Sequence, residues 1–498
     1  MAQKETLARY QEWIKKCSAY RMALSVLTID KMTLAPQGGA AFRDERMAIL
    51  SGELFSIRTD PEIFEIIKNL KDDPDADGDT RRSAQLYYKE LENERVIPKD
   101  EYVAFSLLVD QGYNDWLKAK KESDYSLFEP TLKKLIEESK KIYGYRSSKA
   151  PIYDQMLDDY EPGTSIEFYD KFFDKVKERL IPLIQKVVKA KQVDTSFLYQ
   201  TYPVDKQKAF MDKLLTYLHF DSSWGYQNET EHPFTDWICE NDCRVTTKYL
   251  PDNVASAMLS TIHEVGHATY EHDIDPKYDG MILSDGVSCA MHESQSRLCE
   301  NYLGRTKAFW TSLYPQLQEE FPGQLGSVSI DAFVDALNAA VPSLVRTEAD
   351  ELTYPLHILI RYEIEKGLFN GSLSTEGLNK TWNELYKKYL GVDVPNDREG
   401  ILQDVHWSDA SFGYFPTYAL GSAYAAQFVH TMRKDIDVDK LLAQGHYDQV
   451  MGWLKEHVHQ YGCRLTPQEV MTKATGEPFD PDYYLDYLED KYTRLYHL

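Results

Sequence analysis

Residues 242–273 read "DCRVTTKYLPDNVASAMLSTIHEVGHATYEHD". "DCRVTTKYL" at 242–250 alternates and is rich in Val, Thr and Tyr, which predicts a short strand. "PDN" at 251–253 breaks it, and Asn253 is placed to cap a following helix. That helix carries "HEVGH" at 263–267. Residues four apart on a helix are separated by about 40° around its axis, so His263 and His267 point the same way and can share one metal ion. Glu264 stands to the side, as a base for water activated there. The order strand, turn, helix also sets a strand edge beside the metal helix, where an extended peptide could pair.

The pattern H-E-x-x-H is short. In a chain with 13 His among 498 residues, accident alone produces it in about three such sequences per hundred. The plain alternative is a helical core with solvated charge on its outer face. A catalytic zinc needs a third protein ligand and one open position. "SDGVSCAMHESQSRLCENYLG" at 284–304 reads as a second helix starting near Ser284 or Asp285, and it supplies Glu293. Two His and one Glu suit zinc, and the same donors suit cobalt or manganese.

Outward from this centre, helical patterning dominates. The segments 6–27, 126–145, 165–192 and 446–462 repeat apolar residues at three- and four-residue steps. The polar runs at 71–79 and 221–235 read as loops, neither of them a flexible linker. With no internal repeat and no low-complexity segment, one mainly helical domain over 1–498 is the simplest organisation.

Composition bounds the function. A formal net charge of -24 leaves no basic footprint for nucleic acid or an anionic membrane. It tilts preference towards basic substrates. Six scattered cysteines make no disulfide framework, and Cys239 and Cys243 lack a second pair at zinc-ribbon spacing. No run of eighteen apolar residues occurs and the first twenty residues lack an apolar leader core. A soluble protein of a reducing compartment, the cytoplasm, is expected.

Several further motifs follow in a fixed order: "HPF" at 232–234, "DCRVT" at 242–246, "HESQS" at 292–296, "VRTEADELTYPLH" at 345–357, "IRYEIE" at 360–365, "GILQDVHW" at 400–407 and "GYFPTYALG" at 413–421. "DKMTLAPQGGAAFRDE" at 30–45 and "YEPG" at 160–163 precede them, with Ile29 where a tryptophan is expected. This set, spanning about residues 25 to 425, resembles the Taq-type thermostable metallocarboxypeptidases, a zincin family with a neurolysin-like, almost all-helical fold.

The resemblance implies His263, His267 and Glu293 as ligands of one zinc and Glu264 as general base. It implies Arg346 as the grip on a substrate's terminal carboxylate, which a planar guanidinium binds as a bidentate fork. An isolated arginine there would instead pair with Glu348 or Asp350 at the surface. His406 and Tyr418 resemble the transition-state donors of related helical peptidases, with Tyr414 closer to substrate binding. His232 and Arg244 become cleft residues by resemblance, with structural roles as the equal alternative, and Asp404 a group that orients a histidine.

The implied architecture is a long helical molecule split by a deep cleft into two lobes, with a small sheet at the rim and the catalytic motifs at 232–421. The implied activity is removal of single C-terminal residues from peptides with a free carboxylate, by a homodimer. The rival within enzymes is a dipeptidyl carboxypeptidase or oligopeptidase on the same fold. The rival outside them is a catalytically silent helical interaction protein.

Overall fold

The computed structural model describes residues 3–498, and helices dominate it. The segment 165–192 shows why. Ser165 caps a helix over Ile166–Lys189 by accepting from the Phe168 N–H. The helix buries Tyr169, Phe172, Phe173, Val176, Leu180, Leu183, Ile184 and Val187 along one stripe. Each such side chain contributes about 1.5–3 kcal/mol when fully removed from water. The segments 6–27 and 126–145 fall in helices Gln3–Thr33 and Glu129–Gly144. The segment 446–462 is helical only over Tyr447–His457, then tightens into a 3-10 turn from His459.

The only sheet among the described residues has three strands: β1 (Gly225–Glu229), β2 (Thr235–Cys239) and β3 (Asp242–Thr247), in the order β1-β3-β2. β3 is parallel to β1, with Gly225 opposite Cys243, and antiparallel to β2, with Thr235 opposite Val245. Two expectations change here. The polar run 221–235 contains a strand, because β3 supplies pairing that its own pattern does not announce. β3 stops at Thr247 and lies in the middle of the sheet, so neither of its edges is open to a peptide. β2 is the outer strand on the cleft side, and its Thr235 lies on the cleft wall.

Two apolar cores organise the chain. The larger spans the helices from Trp116 to Tyr496 together with the sheet. The smaller joins Tyr10, Trp13, Cys17, Ile67, Tyr87 and Leu91 from the N-terminal helices to Ile274, Ile282 and Leu283. Those last three belong to the connection between the helix of "HEVGH" and the helix of "HESQS". The N-terminal lobe is thereby fastened to the segment that joins the two motifs, and the Ile282 N–H donates to the Tyr87 hydroxyl at 3.1 Å. The cleft lies between the lobes. No described helix is long and apolar enough to cross a membrane.

Candidate metal centre and cleft

The "HEVGH" helix runs Val254–His272, and the Asn253 side chain caps it by accepting from the Ala255 and Ser256 N–H groups. The "HESQS" helix runs Cys289–Arg297 and begins later than the sequence suggested, with Ser288 as its cap. Ile282–Ser284 forms a separate 3-10 turn. Between them the chain must pass tightly against His292: a Cβ at Gly286 would lie 2.6 Å from its ring.

Gly266 decides how near the two helices come. A Cβ there would stand 2.8 Å from Ser296 Cα and 3.0 Å from the Gln295 carbonyl. This backbone-to-backbone approach brings Glu293 to the histidines. Its Oε2 lies 3.7 Å from His263 Nε2 and 3.5 Å from His267 Nε2. One donor atom from each of the three falls within 4.8 Å of the others, a cluster that could hold one metal ion.

The surroundings fit that use. His263 Nδ1 lies 3.0 Å from Glu300 Oε2, and Glu300 also accepts from Arg297 and Arg305. His267 Nδ1 meets His292 Nδ1 at 2.6 Å, and His292 Nε2 meets Glu271 Oε1 at 2.6 Å. Each imidazole is thus held by its outer nitrogen, with Nε2 turned inward, as metal-ligating histidines require. Burial opposes the charged form of Glu293, yet Arg297 and His263 hold its carboxyl well below the usual range. Burial lowers His267 to about 3, which keeps it neutral. His263 moves upward, burial being outweighed by Glu293 and Glu300.

Glu264 is buried beside this cluster, and the Thr235 hydroxyl donates to its Oε2 at 2.7 Å. Burial raises its carboxyl, against the pull of His263 and of Thr235. Such a carboxylate, poised above its ordinary range, is suited to accept and return a proton. The cleft before it has a volume of about 920 Å³ and is lined by Phe234, Thr235, the three candidate ligands, Tyr414 and Tyr418. Glu90 and Glu94 of the N-terminal lobe form part of the opposite wall.

Tyr418 and His406 meet directly, with His406 Nε2 3.1 Å from the Tyr418 hydroxyl. Burial lowers His406 to about 4, with Asp404 opposing and Arg346 and Arg361 adding to the fall. Arg346 is 7 % exposed and does not line the cleft. Its Nε donates to Asp404 at 2.9 Å, its Nη1 to the Tyr354 hydroxyl at 3.2 Å, and its Cζ sits 4.8 Å from the centre of the Tyr418 ring. Neither Glu348 nor Asp350 is its partner. Asp404 bonds no histidine; it is the shared counterion of Arg346 and Arg361, the latter at 2.6 Å.

His232 is exposed and off the cleft wall, where its neighbours Pro233 and Phe234 stand. Arg244 pairs with Asp242 along its own strand, Nη2 to Oδ2 at 3.0 Å, and is also off the wall. Sequence reasoning passed over Glu300, Glu271 and Thr235, and gave His292 no role. Glu300 had a signal: Glu293, Arg297 and Glu300 recur at helical spacing. A π-helical turn over Leu298–Leu303 then shapes the backbone that carries Glu300.

The sequence profile of the carboxypeptidase Taq (M32) metallopeptidase family matches residues 9–492. Carboxypeptidase 1 of Bacillus subtilis (strain 168) is 42% identical over 486 residues, covering 97% of each chain. Thermostable carboxypeptidase 1 of Thermus thermophilus is 36% identical over 506 residues, covering 98% of this chain and 99% of that one. The crystal structure of the M32 carboxypeptidase from Deinococcus radiodurans R1 superposes with a TM-score of 0.96 at 31% identity, covering 99% of this chain and 100% of that one.

Proposed function

Because the chain belongs to the carboxypeptidase Taq (M32) metallopeptidase family and is a metallocarboxypeptidase, we propose that His263, His267 and Glu293 hold one zinc ion with Glu264 as the base. The observation that carries this reading is the convergence of the three donors and Glu264 on one cleft wall. A zinc ion held there supplies Lewis acidity to a scissile carbonyl and to a water molecule. Glu264 takes the proton from that water on its carboxylate and passes it to the leaving amine. The Tyr418 hydroxyl, braced by His406 Nε2, donates to the developing oxyanion. His406 is neutral at pH 7, so its ring braces the tyrosine without adding charge. Tyr414 lies on the same wall and contacts the substrate.

Arg346 is the grip for the terminal carboxylate, its guanidinium anchored on Asp404 and Tyr354 and packed against the Tyr418 ring behind the cleft wall. His232 and Arg244 stand off the cavity wall, the first exposed and the second paired with Asp242, and take no part in this reading. Glu90 and Glu94 on the far wall are both paired with Arg58 at 3.1 Å, and Lys89 and Arg146 line the same cavity, so this wall sets no preference for cationic residues. The chain works as one catalytic unit in a reducing compartment, in keeping with its six free cysteines. It pairs as a homodimer through the apolar side chains exposed on and beside its N-terminal helices, among them Leu34, Phe42, Ile49 and Leu107.

The test is a mass-spectrometric time course on one peptide and its C-terminally amidated twin, with and without chelator. Loss of single residues from the free acid alone, abolished by chelator, is the expected result. Internal cuts or dipeptide release from both peptides would sink the single-residue reading.

A further inference from the structure

We infer that Glu161 is a positioning residue: its carboxylate ties the helix carrying Glu293 to the helix carrying Tyr418 and fixes the spacing between metal ligand and donor. The inference rests on the assignment of Tyr418 as a transition-state donor.

Glu161 lies in "YEPG" and has no exposed surface. Its Oε2 accepts from the Ala290 N–H at 3.0 Å, one turn ahead of Glu293 on the helix Cys289–Arg297. Its Oε1 accepts from the Tyr424 hydroxyl at 3.2 Å, and Tyr424 follows Tyr418 on the helix Phe415–Asp435. One carboxylate therefore holds both helices. The joint it holds is unusually close. A Cβ at Gly421 would lie 2.8 Å from Glu293 Cβ and 2.9 Å from the Ala290 carbonyl. Ala290 is thus at once the donor to Glu161 and the neighbour of Gly421, and Glu293 lies one turn further along the same helix.

Burial of a carboxylate among apolar groups costs free energy that an apolar residue would not. Here burial pushes the group up to about 7, even with Ser288, Ala290 and Tyr424 bonding to it. No arginine or lysine is among those partners. A tether between two catalytic helices accounts for keeping it. The flanking residues point the same way, since Tyr160 and Pro162 line the cleft and the Tyr160 ring meets Tyr414 edge-on at 5.1 Å.

Glu161→Gln, Tyr424→Phe, the double variant and Tyr418→Phe are compared as full-length, metal-loaded proteins. Tyr424→Phe removes one hydroxyl and leaves the Ala290 end intact, so it reads the tether even where Glu161→Gln folds poorly. Each single variant should lower kcat about tenfold with KM within about twofold, the cost of a small misplacement of catalytic groups. The double variant should fall no further than the worse single, since both break one tether. Glu161→Gln should also speed loss of metal to a chelator, a readout independent of turnover. A fall in Tm with kcat per metal-loaded chain unchanged would make Glu161 a structural residue only and overturn the inference. Multiplying effects in the double variant, or an unchanged rate of metal loss, would overturn it as well. If Tyr418→Phe is slow while the tether variants match wild type, the tether alone fails. If Tyr418→Phe is fully active, the donor assignment fails and the tether falls with it.

Discussion

The two walls of the cleft are built on opposite terms. On the metal side, three helices meet at glycines: Gly266 against Ser296, and Gly421 against Glu293 and Ala290, with no room for a methyl group at either. On the facing side, the N-terminal helices are fastened through one small core shared with Ile274, Ile282 and Leu283, and behind the cavity wall the helix Ala40–Arg58 buries none of its residues. Phe42 is 66% exposed and Leu34 73%. Backbone-to-backbone packing leaves few alternative arrangements. The wall that must hold reacting groups to a fraction of an ångström is the one without slack.

The largest expected effect comes from changing a carboxylate on the tight wall. Glu264→Gln should retain metal and lower kcat about a thousandfold, within the range general bases contribute. Metal content and single-turnover rates check it, and near-normal turnover would remove Glu264 as the base. The same change across the cleft, Glu90→Gln, should leave kcat near wild type, since Glu90 is engaged by Arg58 at 3.1 Å and not by the reacting groups.

Next in size is Gly421→Ala. The added methyl meets Glu293 Cβ and the Ala290 carbonyl, both part of the metal-side framework. Overpacking of this kind costs about 1–3 kcal/mol of stability, and displacement of Glu293 should lower kcat more than tenfold. Calorimetry and kinetics on the same preparation test whether activity falls further than stability alone explains. An active, stable Gly421→Ala would break the contrast between the walls.

The sequence carried the centre of this site and not its frame. His263, Glu264 and His267 lie at helical spacing, and Glu293 sits on the adjacent motif; both relations are local enough to see in one dimension. His406 and Tyr418 were linked by resemblance, and the structure brings them to 3.1 Å. What could not be seen depends on distant partners. Arg346 is turned onto Asp404, 58 residues away, which no local pattern signals. β1 exists because β3 pairs with it, while its own residues read as a polar loop. The later start of the "HESQS" helix is by contrast local, since Ser288 caps it by accepting from the Met291 N–H.

A pH effect sharpens the contrast. Glu365 is fully buried and accepts from the Trp407 Nε1–H at 2.7 Å, the Gly413 N–H at 2.8 Å and the Tyr153 hydroxyl at 2.8 Å, holding the loop that carries His406. Burial raises its carboxyl from 4.5 to about 7 despite those donors. The folded state then binds more protons than the unfolded one between these values, so stability falls as pH rises. The contribution is complete below about pH 4.5 and lost through about pH 7, with a span of about 3 kcal/mol. Glu365→Gln should flatten that part of the pH–stability curve. An unchanged slope in denaturant titrations would show that Glu365 is ionised throughout.

The smallest effect belongs to the loose wall. Phe42→Ser and Ile49→Ser change side chains that are 66% and 55% exposed on the N-terminal lobe. Exposed substitutions usually shift the stability of a single chain by no more than about 0.5 kcal/mol, so Tm at low concentration and kcat should stay near wild type. Pairing of two chains is another matter. If the apolar face of this lobe is covered by a second copy, losing both side chains removes about 3 kcal/mol of buried apolar contact per chain and should shift sedimentation from dimer to monomer. Unchanged kcat together with dissociation would show that the lobe's outer face serves association and leaves the chemistry alone. A dimer that survives would place the interface elsewhere, and a loss of kcat in the monomer would show that pairing of the two chains supports the chemistry.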